Sequence, residues 1–203
     1  MNIGFLLIDD YEIVRKGIRN ILKQKYPDSI ILDCGDVDNA IKIIRSHPIN
    51  FLFLDLSIPH LEPSSFVRNV VSEFPGLNII VLSSFDPRLY ANHLYKLGIK
   101  AYLHKNEVTQ SEIYESIEVI LKNKIYFTKY VSEILALQNL GITEQVHLAK
   151  LSTRELFILE NLKRGKTIKE IANELSISYS VTGRYKIEIF KKLNISSIIQ
   201  LNE

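Results

Sequence analysis

One cysteine in 203 residues, Cys34, has no partner for an internal disulfide, so the chain is not a disulfide-stapled scaffold. No apolar run approaches the roughly 18 residues that a membrane-spanning helix needs. The opening MNIGFLLIDD has neither a basic leader nor a small-residue cleavage site, and it reads as a core strand rather than a signal peptide. His47, His60, His93, His104 and His147 lack ligand spacing, which argues against a transition-metal site. Internal repeats and low-complexity segments are absent too. These absences lead to the expectation of a cytoplasmic protein with no membrane partner.

What is present is ordinary in amount and uneven in placement. Apolar residues make up 46% and charged residues 24%, the balance of a soluble globular chain with room for one large domain or two small ones. Net charge is +2. Residues 1–125 carry 14 basic and 15 acidic groups, whereas residues 126–203 carry 11 and 8. Most of that basic excess lies between Lys150 and Lys192, a modest sign of a polyanionic partner.

Residues 1–124 alternate short apolar runs with amphipathic stretches. Strands are expected at Ile3–Ile8, Ile30–Cys34, Phe51–Leu56, Asn78–Leu82 and Ala101–Leu103. Helices are expected at Tyr11–Lys25, Asp38–Arg45, Ser64–Phe74, Pro87–Leu97 and Ser111–Lys122. Five strand–helix repeats of this length predict right-handed parallel crossovers and one doubly wound α/β domain. Residues 125–149 read as a linker that begins as a helix and breaks at Gly141.

Beyond Lys150 the strand signals stop. Ser152-Thr153-Arg154-Glu155 is a capping box whose helix should end at Gly165, and Thr167-Ile168-Lys169-Glu170 is a second. Ser176-Ile177-Ser178 reads as a tight turn, with Ser178 capping a third helix that runs to about Leu193. Two helices joined by about three residues, the second bearing Arg184, Lys186, Lys191 and Lys192, form a helix-turn-helix. Residues 150–203 are thus expected to be a small all-α domain.

The chemistry sits where apolar strands end. Asp9 and Asp10 follow IGFLLI, Asp55 follows FLFL, and Lys105 follows AYLH. In a parallel sheet the carboxyl ends of neighbouring strands meet at one crevice, where ligands bind. Three carboxylates crowded there repel one another unless a cation joins them, and a hard divalent ion such as Mg²⁺ with oxygen ligands is the natural choice. A lysine adds a compact positive charge that can meet a phosphoryl group. Any one of these residues alone reads as a helix cap or solvated turn. Asp9 or Asp10 could cap the helix starting near Glu12, and Asp33, Asp36 and Asp38 read as turn and cap residues.

Taken together, residues 1–124 resemble the receiver domain of two-component response regulators. The resemblance rests on Asp9-Asp10, Asp55-Leu56-Ser57-Ile58-Pro59, Ser83, and Tyr102-Leu103-His104-Lys105. Residues 151–195 resemble the C-terminal domain of LuxR/NarL-type (FixJ-like) transcription factors, through LSTRELFILENLKRGKTIKEIANELSIS and the KKL of Lys191 to Leu193. The resemblance implies that Asp55 accepts a phosphoryl group from a phosphohistidine of a sensor histidine kinase. It implies Mg²⁺ held by Asp10 and Asp55 directly, by Asp9 through water and by the Ser57 carbonyl. Lys105 would pair with the phosphoryl group, Ser83 would donate a hydrogen bond to it, and Ser83 and Tyr102 would act as the switch. Tyr179, Ser180, Arg184 and Lys186 would face the DNA major groove, with Lys169, Lys191 and Lys192 on phosphates, in a homodimer.

Several positions depart from the family pattern. The loop after Asp55 reads Pro59-His60-Leu61-Glu62-Pro63 where the family has Pro-Gly-Met-Asp-Gly, so Pro63 predicts a stiffer loop. Asn106 stands where a proline commonly follows the lysine, and Ser84 replaces a small alanine. In the last helix Val181 and Thr182 are exchanged relative to the usual order, Gly183 replaces a basic residue and Tyr185 a histidine. Thr182 then lies on the apolar seam with Ile189 and Leu193, where its hydroxyl must find a backbone acceptor.

The reading favoured by this pattern is a DNA-binding response regulator. An adaptor whose altered last helix binds a protein is the alternative. A phosphatase-like enzyme using Asp55 is weak, because the second aspartate such enzymes carry two residues on is here Ser57. No turnover is expected beyond slow loss of the chain's own phosphoryl group.

Overall fold

The computed structural model describes residues 3–140, 151–175 and 177–201. It divides into two compact units, Met1–Leu137 and Gln138–Glu203. Gly141, and the turn at Ser176, lie outside the described residues.

The first unit runs β1 (Gly4–Ile8), α1 (Glu12–Lys25), β2 (Ile30–Cys34), α2 (Val37–Ser46), β3 (Phe51–Leu54), α3 (Pro63–Glu73), β4 (Asn78–Ser83), α4 (Pro87–Leu97), β5 (Ala101–His104) and α5 (Gln110–Leu121), followed by β6 (Tyr126–Phe127) and all but the last two residues of α6 (Lys129–Asn139). The sheet is parallel throughout, with strand order β2-β1-β3-β4-β5-β6. β1 pairs with β2 on one side and β3 on the other, so the chain reverses its winding there and the crevice opens at the β1 and β3 carboxyl ends. Helices cover both faces, which is why β1 and β3 are apolar at every position instead of alternating. Phe5, Leu7, Phe51, Phe53, Ile80, Leu82 and Leu103 pack on one face with Ile18 and Leu22 of α1 and Ile113, Ile117 and Ile120 of α5.

Backbone contact fixes the lower end of β1. A Cβ on Gly4 would lie 1.9 Å from the Pro48 carbonyl oxygen, and the Gly4 amide donates to Asn50 Oδ1 at 2.8 Å. Only glycine lets the α2–β3 connection pass this close.

Three local outcomes differ from expectation. β6, within the stretch read as linker, pairs Tyr126 and Phe127 with Ala101 and Tyr102; a two-residue strand is too short to leave a periodic signal. Pro63 does not stiffen a free loop but opens α3 at its first turn, where its missing N–H costs nothing, and Glu62 caps that helix by accepting from the Ser64 and Ser65 amides. The left-handed backbone falls instead on His60, at φ 64°. Asp33 is no turn residue: it stands on β2 and binds Arg15 and Arg19 of α1.

The second unit is helical among its described residues after α6: α7 (Thr153–Lys163), α8 (Ile168–Glu174), α9 (Tyr179–Leu193) and a 3-10 turn at Ile198–Leu201. Both capping boxes form, Ser152 with Glu155 and Thr167 with Glu170, and the chain leaves α7 through Gly165 at φ 81°. Ser178 caps α9 through the Val181 amide. Thr182 is fully buried and its hydroxyl donates to the Ser178 carbonyl at 3.2 Å, the acceptor its place on the seam demands. Leu156, Phe157, Ile158, Leu159, Ile171, Ile189 and Leu193 are buried as the core of this unit. Among the described residues no helix is long and apolar enough to cross a membrane.

Candidate functional site

The ends of β1, β3, β4 and β5 bring the acidic residues together. The Asp55 amide donates to the Ile8 carbonyl at 2.9 Å, which sets the end of β3 beside the end of β1. The Lys105 amide donates to the Ser83 carbonyl at 3.0 Å, which aligns β5 with β4. Carboxylate oxygens of Asp9, Asp10 and Asp55 all lie within 4.8 Å of one another. Asp55 is 1% exposed and Asp9 4%, while Asp10 is open to solvent.

Lys105 joins two of these carboxylates. Its Nζ lies 2.6 Å from Asp9 Oδ2 and 2.8 Å from Asp55 Oδ2. Burial alone would lower the lysine's pKa, but the two carboxylates outweigh it and raise the value above that of a free lysine. Burial raises the Asp9 pKa, and the Asp55 charge adds to that, against the hydrogen bond from Lys105. One ammonium therefore does not neutralise the pocket. A divalent cation fits this donor set, with hard carboxylate oxygens converging and negative charge left over.

Asp9 is not the N-cap of α1. Its N-cap residue is Tyr11, with no side-chain cap, and Asp9 Oδ1 instead accepts from the Tyr11 amide at 2.9 Å. Asp36 does cap a helix, α2, through the Asn39 amide. Ser57 contributes more than the backbone carbonyl expected of it: its hydroxyl donates to Asp55 Oδ2 at 2.5 Å and its amide approaches Oδ1 at 3.2 Å.

Ser83 and Tyr102 meet at a residue that pattern reading did not single out. The Phe85 amide donates to Ser83 Oγ at 3.3 Å, and the Tyr102 hydroxyl donates to the Phe85 carbonyl at 2.9 Å. Both side chains are fully buried, so the Tyr102 ring faces inward. Arg15 is a second residue missed from sequence. Its guanidinium is held by Asp33 through Nε at 3.0 Å and donates through Nη1 to the Asp9 carbonyl at 2.6 Å. A capping reading of Asp33 concealed this link, which only the β1–β2 register at Leu7 and Asp33 brings about.

In the second unit Tyr179, Ser180, Arg184, Lys191 and, on α8, Lys169 are exposed. Lys186 is half-buried and sits over the Phe190 ring at 5.3 Å from its centroid. Lys192 is engaged within its own unit: Nζ lies 2.7 and 2.8 Å from the two oxygens of Glu155, whose side chain is 3% exposed. Burial would raise the Glu155 pKa, but Lys192 and the Ser152 donors hold it below the usual carboxylate value. Glu155 thus closes a helix cap and an ion pair to the last turn of α9 at once.

Comparison with known proteins places both units in known families. The response regulator receiver domain matches residues 5–118, and the luxR family of bacterial regulatory proteins matches residues 149–202. Response regulator UvrY of Escherichia coli (strain K12) is 26% identical over 200 residues, covering 98% of this chain and 91% of that protein. Fimbriae Z protein of Salmonella typhimurium is 28% identical over 198 residues, covering 97% and 92%. RcsB of Salmonella enterica serovar Typhimurium, solved bound to a promoter with the phosphomimetic BeF₃⁻, shares the fold at a TM-score of 0.75 and 23% identity, covering 99% of this chain and 96% of that one. The chain belongs to the response regulator family, with a receiver domain followed by a LuxR-type helix-turn-helix domain.

Proposed function

We propose that the chain is a transcription factor whose receiver takes a phosphoryl group on Asp55 from a sensor histidine kinase and whose α9 binds promoter DNA. The observation that carries the first half is the Lys105 ammonium held between Asp55 and Asp9 at the sheet's switch point. A carboxylate needs no general base to act as a nucleophile. An Asp55 oxygen attacks phosphorus as the P–N bond to the donor imidazole breaks, leaving an acyl phosphate. Lys105 meets the arriving charge, and the Ser57 amide and hydroxyl orient the carboxylate. Asp9, Asp10, Asp55 and the Ser57 carbonyl would hold Mg²⁺, which when bound supplies charge neutralisation for the transferring oxygens. Ser83 would donate to the phosphoryl group after leaving the Phe85 amide. Because Tyr102 holds the same residue's carbonyl, that exchange would be felt at Tyr102.

Support for the second half is the helix-turn-helix frame with exposed Arg184, Lys191 and Lys169. RcsB, of the same fold, has been solved on a promoter. Tyr179, Ser180, Arg184 and Lys186 are assigned to the major groove, and Lys169, Lys191 and Lys192 to phosphates. A homodimer would place two copies of α9 about one helical turn, roughly 34 Å, apart on an inverted repeat. The test is labelling by a small phosphodonor with Mg²⁺, followed by selection of bound duplexes from a random library with and without the donor. Labelling absent in Asp55→Asn and a recovered inverted repeat are expected. Undiminished labelling of that variant sinks the Asp55 assignment, and recovery of no duplex in either state favours the protein-binding adaptor.

A further inference from the structure

At 3.6 residues per turn, Thr182, Ile189 and Leu193 mark the buried side of α9. The opposite side is a stripe of Ser180, Arg184, Ile187 and Lys191, all exposed. Ile187 is out of place there. It is 69% exposed, an apolar β-branched side chain in the middle of a polar and basic stripe. One turn before it stands Gly183, where a Cβ would meet nothing within 4 Å. Packing therefore does not require this glycine, although glycine in a helix interior costs roughly 1 kcal/mol relative to alanine. Residues four apart are neighbours on a helix surface, so Gly183 leaves a shallow recess against one flank of Ile187.

We propose that Ile187, with the recess beside it, reads the C5-methyl group of thymine in the major groove, so that each half-site presents a thymine to this turn of α9. The inference rests on the reading that the second unit binds DNA. Charge selects the occupant: Arg184 and Lys191 lie on the same stripe, three residues before and four after Ile187, and suit a polyanion. Glu188, also exposed, stands on the far flank beyond Arg184. Among base edges in that groove, thymine alone offers an apolar group, and apolar side chains are its known match.

The experiment uses the full chain and the duplex that binds it best in the random-library selection. Each thymine is replaced in turn by deoxyuridine, which removes only the methyl group. At one position per half-site the wild type should lose affinity about fourfold, the value for one buried methyl-sized group. Ile187→Ala, an exposed change that leaves the core untouched, should bind the thymine duplex more weakly and be indifferent to deoxyuridine there. Gly183→Lys should also lose that sensitivity while binding random DNA at least as well. Equal sensitivity to deoxyuridine in wild type and Ile187→Ala overturns the proposal, as does insensitivity at every position. Recovery of no duplex at any salt concentration overturns it together with the DNA-binding reading. Unchanged DNA affinity in Ile187→Ala beside a lost protein contact assigns the stripe to a protein partner instead.

Discussion

Lys105 bridges Asp9 and Asp55, at 2.6 and 2.8 Å, and still leaves Asp9 with a raised pKa. An acid whose folded pKa is raised supports the fold when protonated. That contribution is fully present below 3.8, the unfolded value, and is lost as pH rises through the folded one. This predicts that at neutral pH without metal the Asp9 carboxylate weakens the receiver domain. Asp9→Asn should melt at a higher temperature than the wild type in EDTA at pH 7.5, and the difference should shrink as the pH falls toward 4. Mg²⁺ should raise the wild-type midpoint and affect the variant much less. A variant less stable than the wild type in EDTA would show that the Lys105 bond outweighs the cost of burying the Asp9 charge beside Asp55.

Arg15 bonds to the pocket's backbone at the Asp9 carbonyl and is itself held by Asp33. Supporting groups of this kind typically change metal affinity by tenfold or more when removed. Arg15→Met should raise the Mg²⁺ concentration for half-maximal labelling roughly tenfold, with a smaller effect at saturating metal. Arg15→Lys should recover part of the loss. An unchanged Mg²⁺ dependence in Arg15→Met would leave the residue a purely structural role.

Asp10 is the exposed member of the cluster, and its carboxylate lies within 4.8 Å of those of Asp9 and Asp55. Asp10→Ala should therefore act through the metal, and excess Mg²⁺ should restore part of the labelling. Labelling that stays low and flat across the Mg²⁺ titration counts against a metal role for Asp10.

Lys192 bonded to Glu155 makes a stability prediction as well as a DNA prediction. Lys192→Ala should destabilise the second unit by about 1–2 kcal/mol, since it strands a buried carboxylate that is only partly served by its cap. Glu155→Gln should cost a similar amount, and the double variant should cost less than the sum of the two. Because the Glu155 pKa is lowered, this stability is present above 4.5, the unfolded value, and is lost as pH falls through the folded one. Additive losses in the cycle would mean that the pair contributes nothing. On DNA, Lys192→Ala should flatten the salt dependence by about one unit if the lysine leaves Glu155 for a phosphate, and leave the slope unchanged if it does not.

Much of this was legible in the sequence because the signals were periodic or chemical. Alternating strands and helices gave the parallel sheet and placed Asp9, Asp55 and Lys105 at one edge. Three S/T-type caps gave α7, α8 and α9 to within a residue. Pairings that depend on register or on a distant element were not legible. Arg15 on Asp33 and Asp9 required β1 beside β2, and Glu155 on Lys192 spans 37 positions. Phe85, which holds Ser83 and Tyr102 through its backbone, acts through groups that its side-chain type does not announce. Pro63 was misleading for the opposite reason, because a rigid residue in a loop motif is also a good first residue of a helix.

The central claim is that a phosphoryl group on Asp55 controls binding of DNA by α9. Its most direct test is a titration of the selected duplex with the full chain, with and without a small phosphodonor and Mg²⁺, in the wild type and in Asp55→Asn. The expected result is tighter binding on addition of donor to the wild type and no response in Asp55→Asn, with both proteins binding alike when donor is absent. Equal donor responses in the two proteins, or a wild type whose labelled and unlabelled forms bind the duplex identically, would contradict it.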